Sequence, residues 1–356
     1  MDADERNAWL GLSLTPGLGG QSYRALLTAL GDPEQIYATP LSQLKQWVPA
    51  TVAQDIATGI NQARLAPALE WLRHADNQIV TLADLDYPQR LLEITDPPPL
   101  LYLKGRRDLL NSPGLAIVGS RNATPQGLVN AKSFAHNLAD AGLTIISGLA
   151  AGIDAAAHQG GLIGSGSTLA VIGTGLDIVY PARNKLLAHN IAEQGAIISE
   201  FALGTAAIAS NFPRRNRIIS GMSLGCLIVE AALQSGSLIT ARLAVEQGRE
   251  VFAIPGSIHS PLARGCHALL KQGAKLVESA QDILEELRWP VMNPSTAVSP
   301  DINDPLLNAM GFEPLHLDTL VERSGLTAQT VSAMLLEREL MGRVAVLPGG
   351  LYQRIV

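Results

Sequence analysis

Leu115-Ala116-Ile117-Val118-Gly119-Ser120-Arg121 decides the architecture: four apolar residues run unbroken into Gly-Ser-Arg. A strand with one wet face would alternate apolar and polar residues. An unbroken run predicts a strand covered on both faces, as in a parallel sheet. The same texture recurs at 144–146, 169–172, 196–198, 226–229 and 251–254. Helical stretches such as 127–141 and 238–247 lie between these runs. Repeated β-α-β units imply an α/β fold with a Rossmann-like, doubly wound, mostly parallel sheet. Ligands on such sheets sit at the carboxyl ends of the strands.

Outward from this centre, the texture changes twice. Residues 1–77 read as a small helical domain, with Leu10, Leu14, Leu26, Leu27 and Leu30 spaced for a packed face. Within it, Thr15-Pro16-Gly17-Leu18-Gly19 reads as the turn of a helix-hairpin-helix-like unit. Residues 78–290 form the Rossmann-like domain. A segment rich in Pro and small polar residues, 291–302, reads as a linker. Residues 303–356 follow as helix, turn, helix and hairpin, a winged-helix pattern.

The bulk numbers set limits. In 356 residues, 47% are hydrophobic and 16% charged, which suits a well-cored protein of two or three domains. The net charge of −6 argues against a broadly nucleic-acid-coating surface, so any polyanion site must be a local basic patch. Two cysteines without a C-x-x-C pair disfavour a disulfide framework or zinc site. The start lacks a secretory pattern and no apolar run is long enough to span a bilayer, so a cytoplasmic protein is expected, with no membrane partner. Cys226 reads as buried packing and Cys266 as the more exposed of the two.

The loops after the strands carry the chemistry. They hold Gly119-Ser120-Arg121, Ser147-Gly148-Leu149, Gly173-Thr174-Gly175, a basic segment from Phe212 to Arg217, and Ser235-Gly236-Ser237. Gly and Ser at strand-to-helix turns let backbone N–H groups approach an anion at a helix N-terminus. The G-x-G-x-x-G fingerprint is absent from the first turn, which disfavours a conventional dinucleotide site, and no cofactor is expected. Arg214, Arg215 and Arg217 stand within six residues beside Phe212 and Asn216. Guanidinium forks suit phosphate, and an aromatic beside them offers a face for a base. Arg121 and Lys185 would extend the patch. The plainer reading ties one of these arginines to a carboxylate such as Glu200 or Glu230.

These segments resemble the DprA/Smf family of DNA-processing proteins. The resemblance rests on residues 116–121, 147–154, 212–221, 229–232, 235–241 and 248–256, which span the middle domain. It implies a non-enzymatic, sequence-tolerant binder of single-stranded DNA that dimerises through the Rossmann-like domain. It also implies loading of the recombinase RecA during natural transformation and recombination. Carried onto matching positions, the DNA contacts would be Ser120, Arg121, Gly148, Lys185, Phe212, Arg214, Arg215, Asn216, Arg217, Ser235, Gly236 and Ser237. The second tail helix, 327–340, carries Arg338 as its only basic residue, which is poor for phosphate.

The competing reading is an enzyme or sensor that binds or processes a nucleotide. Asp154, Asp177, Glu200 and Glu230 could supply acid–base groups. Their plainer roles are capping for Asp154 and pairing with an arginine for Glu230. His158, at helical spacing from Asp154, reads as a structural hydrogen-bonder. Apolar residues in 258–277 lie near the expected end of the sheet, where an edge must be covered or paired.

Overall fold

The computed structural model describes residues 2–290 and 304–355; the expected linker at 291–302 lies outside them. The central sheet comprises β1 (Asn77–Thr81), β2 (Leu100–Gly105), β3 (Gly114–Val118), β4 (Thr144–Ser147), β5 (Thr168–Val171), β6 (Ala196–Ser199), β7 (Gly225–Ile228), β8 (Glu250–Ala253) and β9 (Lys275–Leu276). Its spatial order is β1-β2-β6-β5-β4-β3-β7-β8-β9. From β6 to β9 every neighbour is parallel. The β1-β2 and β2-β6 pairs are antiparallel.

Strand β3 shows why the apolar run is continuous. Ala116 lies opposite Ile146 on one side and Cys226 on the other, so β3 is central. Its side chains alternate between faces. Leu115 and Ile117 pack with Phe134, Leu138 and Ile153 of the helices Pro125–Asp140 and Ile153–Gly161. Ala116 and Val118 pack on the opposite face with Ile218 and Ala241, from the helices Asn211–Gly221 and Ser237–Glu246. Each fully buried Leu or Ile here stabilises the fold by about 1.5–3 kcal/mol.

The six expected strands are present. The sheet also contains β1, β2 and β9, which sequence periodicity did not single out. The first two make an antiparallel flank. Trp9, Leu10, Tyr23, Leu26 and Ile56 of the first helices share one apolar cluster with Ile79, Leu100 and Tyr102 of this flank. The residues before β1 therefore pack an apolar cluster of their own against this flank of the sheet. The ribbon is also chemically plugged: the Ile79 carbonyl accepts from Arg107 Nη1 at 3.1 Å, and the Thr81 N–H donates to Asp84 Oδ2 at 2.7 Å. At the other end β9 has two residues, both exposed.

The C-terminal unit contains the helices Pro305–Met310, Leu317–Ser324 and Ala328–Leu340 and the strands β10 (Leu315–His316), β11 (Val344–Leu347) and β12 (Leu351–Arg354). The order β10-β12-β11 completes a winged helix. Arg338 is tied to Asp304 at 2.5 Å and Glu337 at 2.8 Å. The sole cation of the helix Ala328–Leu340 is thereby spent on the unit's own carboxylates. Among the described residues, no helix is long and apolar enough to cross a membrane.

Candidate nucleic-acid interface

Strand β3 connects onward to β4 and strand β7 to β8, on opposite sides of their shared boundary. Such a reversal opens a crevice beyond the strand ends. A cavity of about 720 Å³ lies there, lined by the loop 118–122 after β3 and the loop 232–237 after β7. Glu230 binds the two loops together by accepting from Thr124 N at 2.9 Å and Thr124 Oγ1 at 2.5 Å. Burial pushes its carboxyl above the usual range, and the two Thr124 hydrogen bonds oppose that. The expected pairing of Glu230 with an arginine does not occur. The Thr124 backbone is nearer, and its side chain also caps the following helix through Gly127 N.

The mouth of the cavity is aromatic and cationic. The Arg121 guanidinium lies 5.5 Å from the Phe212 ring centroid. Tyr180 stands beside Phe212 at 5.6 Å between centroids. Ser120, Asn216, Ser235, Gly236 and Ser237 complete the polar wall. Ser235 and Ser237 share a hydrogen bond of 2.7 Å between hydroxyls.

Arg215 forms the floor. It is 4% exposed, and its Nη2 donates to the Gly148 carbonyl at 3.1 Å. Among the described residues, its Nε–H has no hydrogen-bond partner. Burial pulls the guanidinium down to about 10, with Asp154 pulling the other way, so it stays charged at neutral pH. Asp154 makes no ion pair with it; its Oδ2 accepts from Gly148 N at 3.2 Å and Ala150 N at 3.4 Å. Burial raises Asp154 above its ordinary value, and the Arg215 charge opposes that. Gly148 leaves the space the Arg215 guanidinium occupies; a Cβ there would displace it. Gly152, at φ 79°, is required because a Cβ would meet the carbonyls of Ser120 and Arg121.

Several sequence expectations need correction. Phe212 to Arg217 is no loop. It forms the first turns of the helix Asn211–Gly221, which tolerates Pro213 because first-turn N–H groups lack helical partners. Helical spacing then scatters the three arginines, and only Arg215 lines the cavity. Arg214 and Arg217 both bind Glu200 Oε2, at 2.9 and 2.5 Å. Arg217 also reaches Asp96, which pairs with Arg24 of the N-terminal helices. Glu200 thus holds two arginines of the cluster, where one was expected. Lys185 and Gly148 do not line the cavity either. Gly148 lies under Arg215. Lys185 begins the next helix, after Asn184 turns inward to donate to the carbonyls of Leu149 and Ala150. Cys266 is fully buried rather than exposed, and burial pushes its thiol up to about 11. Sequence reading missed Tyr180 as a lining group; its place in the loop after β5 was the available signal.

His158 is a buried hydrogen-bonder. Its Nε2 accepts from Leu149 N at 3.3 Å, and its Nδ1 lies 2.7 Å from Thr168 Oγ1. Burial, with the Arg215 charge adding to it, lowers the imidazole from 6.5 to about 3. An unfolded His158 takes up a proton near pH 6.5, whereas the folded one resists until about 3. The stability this residue contributes is whole above pH 6.5 and is lost as pH falls through that window. Its Cε1–H proton resonance is therefore expected to stay fixed between about pH 8 and 5. A titrating shift in that range would place the ring in water.

Comparison with known proteins identifies the family. The family described as DNA recombination-mediator protein A matches residues 78–288, and the DprA winged helix domain matches residues 290–350. Protein Smf of Escherichia coli is 41% identical over 342 residues, covering 88% of this chain and 91% of that protein. The X-ray structure of DNA processing protein A from Streptococcus pneumoniae aligns with a TM-score of 0.71 at 39% identity, covering 80% of this chain and 98% of that one. A structure of DNA processing protein A from Helicobacter pylori, described for its single-stranded DNA binding mode, aligns with a TM-score of 0.54 at 32% identity. It covers 59% of this chain and 96% of that one.

Proposed function

Because the chain belongs to the DNA recombination-mediator protein A (DprA/Smf) family, we propose that it binds single-stranded DNA in the cavity between the β3 and β7 loops. It does so as a binder rather than an enzyme, in DNA processing for recombination and transformation. It protects the strand and hands it to RecA, acting as a homodimer joined through the Rossmann-like domain.

The observation that carries this reading is the pairing of cation and ring at the cavity mouth, above a buried guanidinium with a spare N–H. Arg121 meets one phosphate. Phe212 and Tyr180 offer faces to bases, a mode worth ~1–3 kcal/mol per base and tolerant of sequence. The Arg215 Nε–H, with Ser120, Asn216, Ser235, Gly236 and Ser237 around it, receives phosphate or sugar oxygens. Arg214, Arg217 and Lys185 are left out of the clamp. Asp154 is already engaged with two backbone N–H groups and the field of Arg215, so it supplies no free base for nucleotide chemistry.

The test is a titration of fluorescent oligo-dT, and of its duplex, at about 50 and 200 mM salt. Tight single-strand binding is expected, with log affinity falling by about 0.7 per log unit of salt for each phosphate neutralised. A duplex keeps its bases stacked inside and gives the rings nothing to hold, so it should bind weakly. Equal affinity for both, or a flat salt response, would sink the reading.

A further inference from the structure

A second cavity, of about 410 Å³, opens on the other side of Arg121. Arg121 and Asn122 line both cavities, so the two meet around one side chain. The second lies against the helices Pro125–Asp140 and Ile153–Gly161, and its wall includes Lys132, Gln159 and Arg183. Among the described residues, three cations face it and no carboxylate does. The contrast with the whole chain matters, since acidic residues outnumber basic ones by 32 to 26. Lys132, Gln159 and Arg183 are exposed. Among the described residues, none of the three cations takes part in an ion pair, unlike Arg214, Arg217 and Arg338. Like charges on one concave wall repel, and a ligand with regularly spaced negative charges relieves that repulsion.

We propose that this groove is the exit path of the strand. The DNA passes Arg121 out of the first cavity, and its next phosphates lie against Lys132 and Arg183, with Gln159 donating to a sugar or phosphate oxygen. Arg121 then acts at the junction and serves phosphates on both sides. This assignment rests on the single-strand reading of the first cavity. It adds a second subsite, which only strands longer than the first cavity can reach.

Length separates the two. Oligo-dT of about 5 and about 20 nucleotides, within and beyond the span of one compact site, would be titrated against the wild type and a Lys132→Glu/Arg183→Glu variant. Both side chains are exposed, and circular dichroism would check the fold. The short strand should bind both proteins alike. For the long strand, the variant should lose two phosphate contacts and its salt slope should flatten by about 1.4. Between about 50 and 200 mM salt, the wild type should then lose about sevenfold more affinity than the variant. If the wild type binds neither strand, the reading of the first cavity fails and takes the path with it. If the wild type binds both but the variant matches it on the long strand, the path alone is wrong. A variant weakened equally on both lengths also overturns the path, since charge would then be acting at large.

Discussion

Arg121→Glu is expected to lower single-strand affinity roughly 100-fold, about 2.8 kcal/mol, while leaving the melting temperature unchanged. The side chain is exposed, stacks on the Phe212 ring and, among the described residues, takes part in no ion pair, so folding does not depend on it. A charge-assisted contact to phosphate is worth about 1.5–3 kcal/mol, and reversal adds repulsion to that loss. Arg121 also lines both cavities, so a strand that follows the proposed path meets the new carboxylate as it leaves the first. Fluorescence anisotropy with oligo-dT and a thermal melt give both numbers. Unchanged affinity would move the ligand out of this crevice, and a nucleotide-sized ligand in the cavity would become the leading alternative.

Arg217→Ala should behave in the opposite way. Glu200 has a side chain 3% exposed, and its Oε2 is shared between Arg214 and Arg217. Removing Arg217 leaves a buried carboxylate with one half-exposed partner. Breaking a buried pair typically costs 3–5 kcal/mol. The remaining Arg214 places this case near the low end, about 3 kcal/mol, or roughly 6–12 °C in melting temperature. The contact to Asp96 is lost as well, which loosens the hold of the N-terminal helices through Arg24. Below the transition, single-strand affinity should stay within about twofold, because Arg217 does not line the cavity. A variant that melts normally but no longer binds would return Arg217 to the site.

Those two arginines show where sequence reading stops. The strands were legible because burial on both faces leaves unbroken apolar runs, as in Leu115 to Val118. The strand-end crevice was read from Gly119, Gly148 and Gly236: a Cβ at Gly119 would meet the Glu230 carbonyl and one at Gly148 the Arg215 guanidinium, whereas Gly236 has open space around it. The directions of side chains were not. A hundred-degree step per residue sends Arg214, Arg215 and Arg217 to different neighbours, and Glu200, distant in sequence, claims two of them. The antiparallel flank escaped notice because β2 is a short apolar run, Leu100 to Leu103, that directly follows three prolines and that periodicity cannot classify. Lys132 and Arg183 carried no motif. Only the packing of two helices beside the β5 loop brings them to Arg121.

The plugged ribbon at β1 has a consequence for assembly. A sheet with two open edges can add copies indefinitely, and filaments follow when the operation does not close. Here the Ile79 carbonyl and Thr81 N–H are already engaged by Arg107 and Asp84, so that end refuses another strand. Among the described strands of this sheet, only the short β9 end remains for lateral pairing. Two copies that meet there through a twofold axis exhaust each other's open edge, so such growth terminates at a pair.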